Sequence, residues 1–350
     1  MHVHDYDEGL FFRIFKRLTT LPILLMLIAF FVSGCDEVVI TPLPKTVPAE
    51  FSMNNHQVRL IFGGDVMMSR EVGLFIENEK NGDYTFLTET IADVFRSADL
   101  SFVNLENVIS DLGEELKTKI GPKFRADPTS VNALVDAGID LVSIANNHAF
   151  DYGKIAFQDS INTLRANNLM DLGGGFNEQE AYDPVVCTFR SKNDDDSVSI
   201  AFISFTRVGL PVWEAQGDNT GVAWLTDETL ETGIDKARSM ADLVIVSFHF
   251  GTENESEPTN TNQLYFAHRA VDLGADLVVG HHPHVIQPVE IYQGKYIAFS
   301  LGNLIFDMTD EINRHGMVLA VTIEEKSISD VQTMTYRIND EFQPVMDETP

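Results

Sequence analysis

From Val58 onward the chain alternates short, continuously apolar runs with stretches whose apolar residues recur at helical spacing. Runs of this kind read as strands buried on both faces, and helices between them imply largely parallel pairing in an α/β fold. Four runs share one order. A helical stretch ends, an Asp-Leu pair follows, β-favouring residues come next, and polar residues close the run. Asp99-Leu100 leads to Asn104 and Glu106, Asp140-Leu141 to Asn147 and His148, Asp242-Leu243 to His249, and Asp276-Leu277 to His282 and His284. The polar residues at 106, 147 and 249 each stand seven positions after their Asp, and the one at 282 stands six after its own, so all four are expected at similar heights on their strands.

The intervening helices carry their own signals. Asp127 followed by Pro128 predicts an N-cap with Pro at N1, then Val131, Leu134 and Val135 on one face, then Gly138 as the stop. Residues 262–274 repeat the pattern, with Leu264, Phe266, Ala267, Ala270 and Val271 ahead of Gly274. Residues 185–190 and 199–205, around an acidic turn, read instead as a hairpin, so a mixed sheet is expected, and residues 317–323 and 332–338 predict one or two further strands. Ligand sites of open α/β sheets lie beyond the carboxyl ends of the strands, and all the polar clusters fall there.

The first 35 residues follow a different pattern. Arg13, Lys16 and Arg17 precede an almost unbroken apolar run over residues 18–32 and then Ser33-Gly34-Cys35, the order of a charged region, a hydrophobic region and a small-residue cleavage site. The run is short for a spanning helix, which needs about 20 apolar residues. Val32-Ser33-Gly34-Cys35 resembles the lipobox of bacterial lipoproteins, in which the cysteine is lipidated and becomes the mature N-terminus; the alternative is an uncleaved anchor. Both place the remainder outside the cytoplasm, attached to a membrane through its N-terminal end. The expected organisation is a signal peptide over residues 1–34, a lipidated Cys35 and a tether with Pro42, Pro44 and Pro48 over 35–57, a folded domain over 58–307, and C-terminal strands with a polar tail over 308–350.

Composition narrows the classes. With 53 Asp plus Glu against 24 Lys plus Arg, the formal net charge is −29, which excludes a nucleic-acid partner because phosphate contacts need clustered cations. The leader carries three charges of each sign, so the whole imbalance belongs to the exported part. A hydrophobic fraction of 44% with 24 Phe excludes disorder, and two cysteines exclude a disulfide framework. With Cys35 lipidated, Cys187 is expected to be a small buried residue in a strand.

A fifth polar cluster closes the first apolar run: residues 58–62, then Gly63-Gly64-Asp65. Together the strand ends offer Asp65, Glu106, Asn147, His148, His249, His282 and His284. Taken singly, Asp65 reads as a turn residue, Glu106 as a solvated loop charge and His249 as a core histidine. Jointly, carboxylate and amide oxygens mixed with imidazoles suit Mn, Fe or Zn, and their number exceeds what one tetrahedral ion needs, so a two-metal hydrolytic centre is expected.

Gly64-Asp65-Val66-Met67, Asn104-Leu105-Glu106, Ala145-Asn146-Asn147-His148 with Asp151-Tyr152-Gly153, Ser247-Phe248-His249-Phe250-Gly251, Gly280-His281-His282-Pro283-His284-Val285 and Ser300-Leu301-Gly302-Asn303 stand in the order found in CapA-type proteins. The chain thus resembles, from about Leu60 to Asp307, the poly-γ-glutamate capsule synthesis family, whose domain is of the calcineurin-like metallophosphatase type. The resemblance implies a four-layer α/β/β/α sandwich with mixed sheets. It implies Asp65, Glu106, Asn147, His249, His282 and His284 as ligands of one or two divalent ions, and His148 as the residue that protonates a leaving group or steadies a transition state. It further implies Arg125, in Phe124-Arg125-Ala126, and Asn303 as substrate contacts, with a structural salt bridge as the other reading of Arg125. Ordinary metallophosphatases begin with Asp-x-His, whereas Met67 stands where that His would be, and Glu106 replaces their Asp. One occupied metal, or a Ca-like preference, stays open.

Three functions are compatible with these residues: metal-dependent hydrolysis of an amide- or ester-linked anionic polymer such as poly-γ-glutamate, non-catalytic partnership with membrane polymerase or export components, or an extracytoplasmic phosphoesterase. A strongly acidic protein repels an acidic polymer unless a local basic pocket intervenes, for which Arg70, Lys123, Arg125 and Arg207 are the candidates.

Overall fold

The computed structural model describes residues 39–45, 50–53, 56–191, 195–258 and 261–347; the leader, Cys35 and part of the linker lie outside the described residues. In chain order the principal strands are β1 (Glu50–Met53), β2 (Gln57–Val66), β3 (Leu100–Leu105), β4 (Leu141–Ser143), β5 (Met170–Leu172), β6 (Val185–Ser191) and β7 (Ser197–Thr206). They continue as β8 (Leu243–His249), β9 (Leu277–His281), β10 (Val289–Tyr292), β11 (Lys295–Ala298), β12 (Asn303–Ile305), β13 (His315–Glu324), β14 (Ser327–Ile338) and β15 (Pro344–Met346). The longer helices are α1 (Arg70–Glu79), α2 (Val131–Ala137), α3 (Gly153–Ala166), α4 (Asp227–Met240) and α5 (Thr261–Leu273).

Two large sheets form. One runs β15-β14-β13-β2-β3-β4-β5 with β12 beside the end of β2, and the other runs β1-β6-β7-β8-β9-β11-β10. Both are mixed: β2-β3-β4-β5 and β7-β8-β9-β11 pair in parallel, while β13-β14 and the β6-β7 hairpin are antiparallel.

The strands read as continuously apolar because each sheet is covered twice. Leu60 and Phe62 of β2 point into a core shared with Ile245 of β8 and Val279 of β9, between the sheets. Ile61, the intervening residue, packs outward with Leu134 and Phe157 from α2 and α3. On the far side, Val244 and Val246 of β8 pack with Leu230 and Ile234 of α4 and Phe266 of α5. Three apolar cores separate four layers, the α/β/β/α sandwich.

The repeated Asp-Leu pairs have a structural cause. Asp99 Oδ2 accepts from the backbone N–H of Arg59 at 2.8 Å, Asp140 Oδ2 from Ser101 at 2.8 Å, Asp242 Oδ2 from Ser199 at 2.9 Å and Asp276 Oδ2 from Val244 at 2.9 Å. Each carboxylate clamps the entry of its strand to the strand beside it. A fixed entry fixes register, and register sets which residues emerge at the far edge.

Asp127 caps as expected, accepting from Thr129 N, but it opens a 3-10 turn over Pro128–Ser130 that leads into α2, and Gly138 ends the helix at φ 76°. The buried face of α2 is Val131, Ala133, Leu134 and Ala137, and Val135 is exposed. Cys187 lies wholly buried between the sheets, and that burial pushes its thiol up to about 12.

The boundary expected at residue 58 moves toward the N-terminus. β1 pairs in parallel with β6, and Phe51 stacks on Phe189 at 5.0 Å between ring centroids. Residues 41–43 are tied to α3, with Leu43 N donating to Asn162 Oδ1, Asn162 Nδ2 to Thr41 O and Arg165 Nη1 to Leu43 O. Part of the linker is therefore docked on the domain rather than free, held by backbone hydrogen bonds that leave no periodic signature. Among the described residues, no helix is long and apolar enough to cross a membrane.

Candidate metal centre

The carboxyl ends of strands from both sheets converge on one buried site. Along β2 the pairing with β3 shifts register between Phe62 and Asp65, a bulge that re-aims the Asp65 side chain. The bulge needs Gly64, since a Cβ there would lie 2.0 Å from the carbonyl oxygen of Gly302. Asp65 N donates to that same oxygen at 2.9 Å. Asp65 is fully buried and receives Asn104 Nδ2 at 2.8 Å and the backbone N–H of His282 at 3.2 Å. His281 Nδ1 lies 3.2 Å from Asp65 Oδ1 and His284 Nδ1 3.6 Å from Oδ2. Burial raises the Asp65 pKa, but the adjacent imidazole of His281, with His284 and the Asn104 amide, outweighs it and holds the carboxyl below its usual range.

Glu106 follows β3 by one residue, fully buried, and neither carboxylate oxygen has a hydrogen-bond partner. His249 Nε2 and His284 Nε2 each lie 3.7 Å from Glu106 Oε1, and His148 Nε2 lies 3.8 Å away. These separations are too long for hydrogen bonds. They match ligands of a shared cation, because donors about 2.1 Å from one ion stand roughly 3–4 Å from each other. Burial, followed by the charges of Asp65 and Glu253, holds the Glu106 carboxyl well above its ordinary range. Such a carboxylate lacks a counter-charge that a divalent ion would supply.

His249, the last residue of β8, meets the amide oxygen of Asn147 at 2.7 Å through Nε2, while Nδ1 lies 3.3 Å from Asn104 Nδ2. His282 and His284 flank Pro283 with φ angles of 97° and 60°. Non-glycine residues in that region cost on the order of 1–3 kcal/mol each and persist where surrounding structure enforces them, commonly at functional sites. The donor atoms of Glu106, His249 and His282 lie within 4.8 Å of one another, as do those of Asp65, Glu106 and His284, and those of Glu253, His282 and His284. Of the six ligands expected from sequence, five thus fall into overlapping clusters, and Asn147 touches one of the five. The donor set suits divalent-metal binding.

His148 sits against this cluster, stacked on Phe124 with ring centroids 3.8 Å apart. Its Nδ1 is 2.6 Å from Asp151 Oδ2 and 3.0 Å from Lys119 Nζ; the shorter contact, to a carboxylate that only accepts, makes Nδ1 the donor and turns the unprotonated Nε2 toward Glu106. Burial pushes the imidazole down to about 4, against the opposing pull of Asp151. Lys119 closes the arrangement, contacting Asp151 Oδ1 and donating to Asn147 O at 3.0 Å. Asn146 fixes the turn, accepting from His148 N at 3.0 Å and donating to Leu105 O at 2.8 Å.

Two expected substrate contacts stand elsewhere. Asn303 is fully buried beneath His284, with Oδ1 2.9 Å from His284 Nδ1 and Nδ2 donating to His284 O at 3.3 Å and Asn313 O at 2.9 Å. Its amide is engaged within the protein and orients His284. Arg125 lies outside the cluster, donating to Leu112 O and Gly113 O, each at 3.2 Å, with its guanidinium 4.1 Å from the centroid of the Tyr152 ring. Met67 is buried in the outer core, its sulfur accepting from Ser69 N and Oγ.

Three members of the site lie outside the ligand and acid set expected from the sequence. His281 opens the His-His-Pro-His motif but is not in that set. Glu253 lies four residues past His249, and Lys119 lies in a loop; neither stands at a strand end, the signal by which the others were found.

The family described as "Bacterial capsule synthesis protein PGA_cap" matches residues 59–308. The PGA biosynthesis protein CapA of Bacillus subtilis (strain 168) is 33% identical over 246 residues, covering 70% of this chain and 62% of that protein. The capsule biosynthesis protein CapA of Bacillus anthracis is 30% identical over 259 residues, covering 72% and 61% respectively. The chain therefore spans about three-fifths of the length of these curated relatives. The crystal structure of calcineurin-like phosphoesterase YfkN from Bacillus subtilis aligns with a TM-score of 0.49 at 13% identity, covering 82% of this chain and 92% of that chain. With the family match extending over most of the folded chain, this protein belongs to the bacterial capsule synthesis protein PGA_cap family.

Proposed function

We propose that this chain is a membrane-anchored, extracytoplasmic, metal-dependent hydrolase that acts on an anionic polymer of the poly-γ-glutamate class during its synthesis, export or processing. The observation that carries this reading is Glu106, a fully buried carboxylate with both oxygens unpartnered and three imidazole nitrogens standing at 3.7–3.8 Å. Asp65, Glu106, Asn147, His249, His282 and His284 would hold one or two divalent ions, Mn, Fe or Zn by donor type, with Ca the alternative. When bound, such an ion polarises an amide carbonyl or a phosphoryl group and lowers the pKa of a bound water. His148, fixed by Asp151, would take at Nε2 the proton given up by the attacking water and return it to the departing group. Lys119 pairs with the same carboxylate and holds Asp151 in place. A lipidated Cys35 would supply the anchor, each buried CH₂ contributing about 0.8 kcal/mol.

Elemental analysis of the full chain, paired with polymer production in cells, tests this. The expected result is a bound divalent transition metal that is lost in His282→Ala together with polymer processing. A metal-free wild type whose His282→Ala variant complements fully would sink the reading.

The position of Met67 supports a second reading, a non-catalytic partner in a membrane polymerase or export complex, because the residue in the place of the missing ligand is committed to the core. On that reading, co-purification of membrane polymerase components persists unchanged when His282 and His284 are both replaced by Ala. Loss of co-purification in the double variant would argue against it.

A further inference from the structure

A cavity of about 340 Å³ opens at the start of α1 and is lined by Arg70, Lys123 and Arg125. Three of the four cations picked out in the sequence as candidates for a basic pocket thus meet in one place. Segment 123–125 runs with period-two alternation, so Lys123 and Arg125 face the cavity while Phe124 turns inward and is buried. The inward ring stacks on His148, Phe124 N donates to Asp151 Oδ2 at 2.7 Å, and the Arg70 guanidinium stands 5.3 Å from the centre of the same ring on the other side. Phe124, between the lining residues Lys123 and Arg125, therefore ties the rim of the cavity to the His148–Asp151 pair.

The cations differ in what already occupies them. Arg70 Nε pairs with Asp307 at 3.0 Å, and Lys123 pairs with the exposed carboxylate of Glu115 at 2.8 Å. Arg125 donates only to two backbone carbonyls, and among the described residues no carboxylate pairs with it. Glu77 and Asp127 also line the cavity, but Asp127 Oδ1 is taken by Thr129 N and Oγ1 as a helix cap. The N-terminus of the ten-residue α1 adds its positive end to the same space. In a chain of net charge −29, three cations thus meet at one cavity beside Glu77 and Asp127, and Arg125 is the one with which, among the described residues, no carboxylate pairs.

We propose that this cavity is an anion subsite that takes a side-chain carboxylate of an acidic polymer, with Arg125 and Lys123 as the contacts, and so seats the chain beside the metal centre. The inference rests on the polymer reading above and adds where that polymer is gripped. It also removes the conflict between an acidic protein and an acidic ligand: overall repulsion is long-range and screened by salt, whereas a guanidinium–carboxylate contact acts at close range.

The test is calorimetric titration of the metal-loaded full chain with a γ-linked glutamate oligomer at several salt concentrations, with inorganic phosphate as the comparison anion. Lys123→Gln and Arg125→Gln are each expected to weaken oligomer binding about tenfold, the usual scale for a charge-assisted pair. Lys123→Gln guards against a folding artefact, because its ammonium meets only an exposed glutamate. Wild-type affinity is expected to fall as salt rises, and in the double variant the slope reverses, since only surface repulsion is then left to screen. Oligomer affinity and salt slope unchanged in both variants, with metal content intact, would overturn the subsite while leaving the polymer reading standing. A wild type that binds phosphate but no oligomer would overturn both.

Discussion

Replacing Glu106 with Gln is expected to weaken divalent-metal binding by at least about 100-fold, and at the same time to raise the melting temperature of the metal-free protein. The first half follows from the donor set. Residues that merely support metal ligands cost 10–100-fold when changed, and Glu106 belongs to two of the three overlapping donor clusters. The second half follows from its unpartnered oxygens. A carboxylate held fully buried without a hydrogen bond is a burden on the metal-free fold, and a neutral amide of the same shape relieves it. The two effects have opposite signs, and a purely structural acid would give only destabilisation. Thermal denaturation with and without added metal reads both. Wild type gains stability with metal, roughly 2.7 kcal/mol at about a hundred times the dissociation constant, and the variant gains almost none. A variant that melts lower than wild type in chelator and still gains from metal would refute the assignment of Glu106.

The site was legible where chemistry and register coincide. Glu106, Asn147 and His249 announced themselves because each stands seven residues after an Asp, and the Asp clamps at strand entry make equal spacing into equal height. The α/β class was legible for a related reason, since strands covered on both faces cannot show the alternation of a half-exposed sheet, whereas the four layers were implied only by the family resemblance. What the pattern hid was whatever acts through loops or through backbone. Asn303, a substrate contact by resemblance, has its Oδ1 and Nδ2 both engaged around His284. Lys119 and Glu253 reach the site from segments whose path no periodicity specifies. β1 was hidden behind the prolines of the linker, although the spacing of Phe51 and Met53 suits a strand packed on one side.

Gly64 shows the same limit most sharply and carries the second large effect. In the sequence it stands just after the first apolar run and ahead of Asp65, yet it lies inside the ten-residue β2, where a Cβ would stand 2.0 Å from Gly302 O and 2.8 Å from Gly302 C. The obstacle is backbone, so no rotamer change relieves it, and β2 is held between β3 and β13 with β12 against its end. Gly64→Ala is therefore expected to destabilise the protein by about 3 kcal/mol or more, the upper end for overpacking. Gly82→Ala is the control: it meets nothing within 4 Å and carries only the strain of φ +77°, about 1–2 kcal/mol. The denaturant midpoint measures the difference, and metal content measures what it does to the site. Pushing Gly302 away displaces the acceptor of Asp65 N and drags the adjoining Asn303, on which His284 rests. Asp65 comes from one sheet and His284 follows β9 of the other, so a single methyl group at this crossing separates the two halves of the ligand set. The fraction of Gly64→Ala that folds should for that reason hold less metal than Gly82→Ala, and equal stability and metal content in the two variants would show that the contact between Gly64 and Gly302 does not set the site.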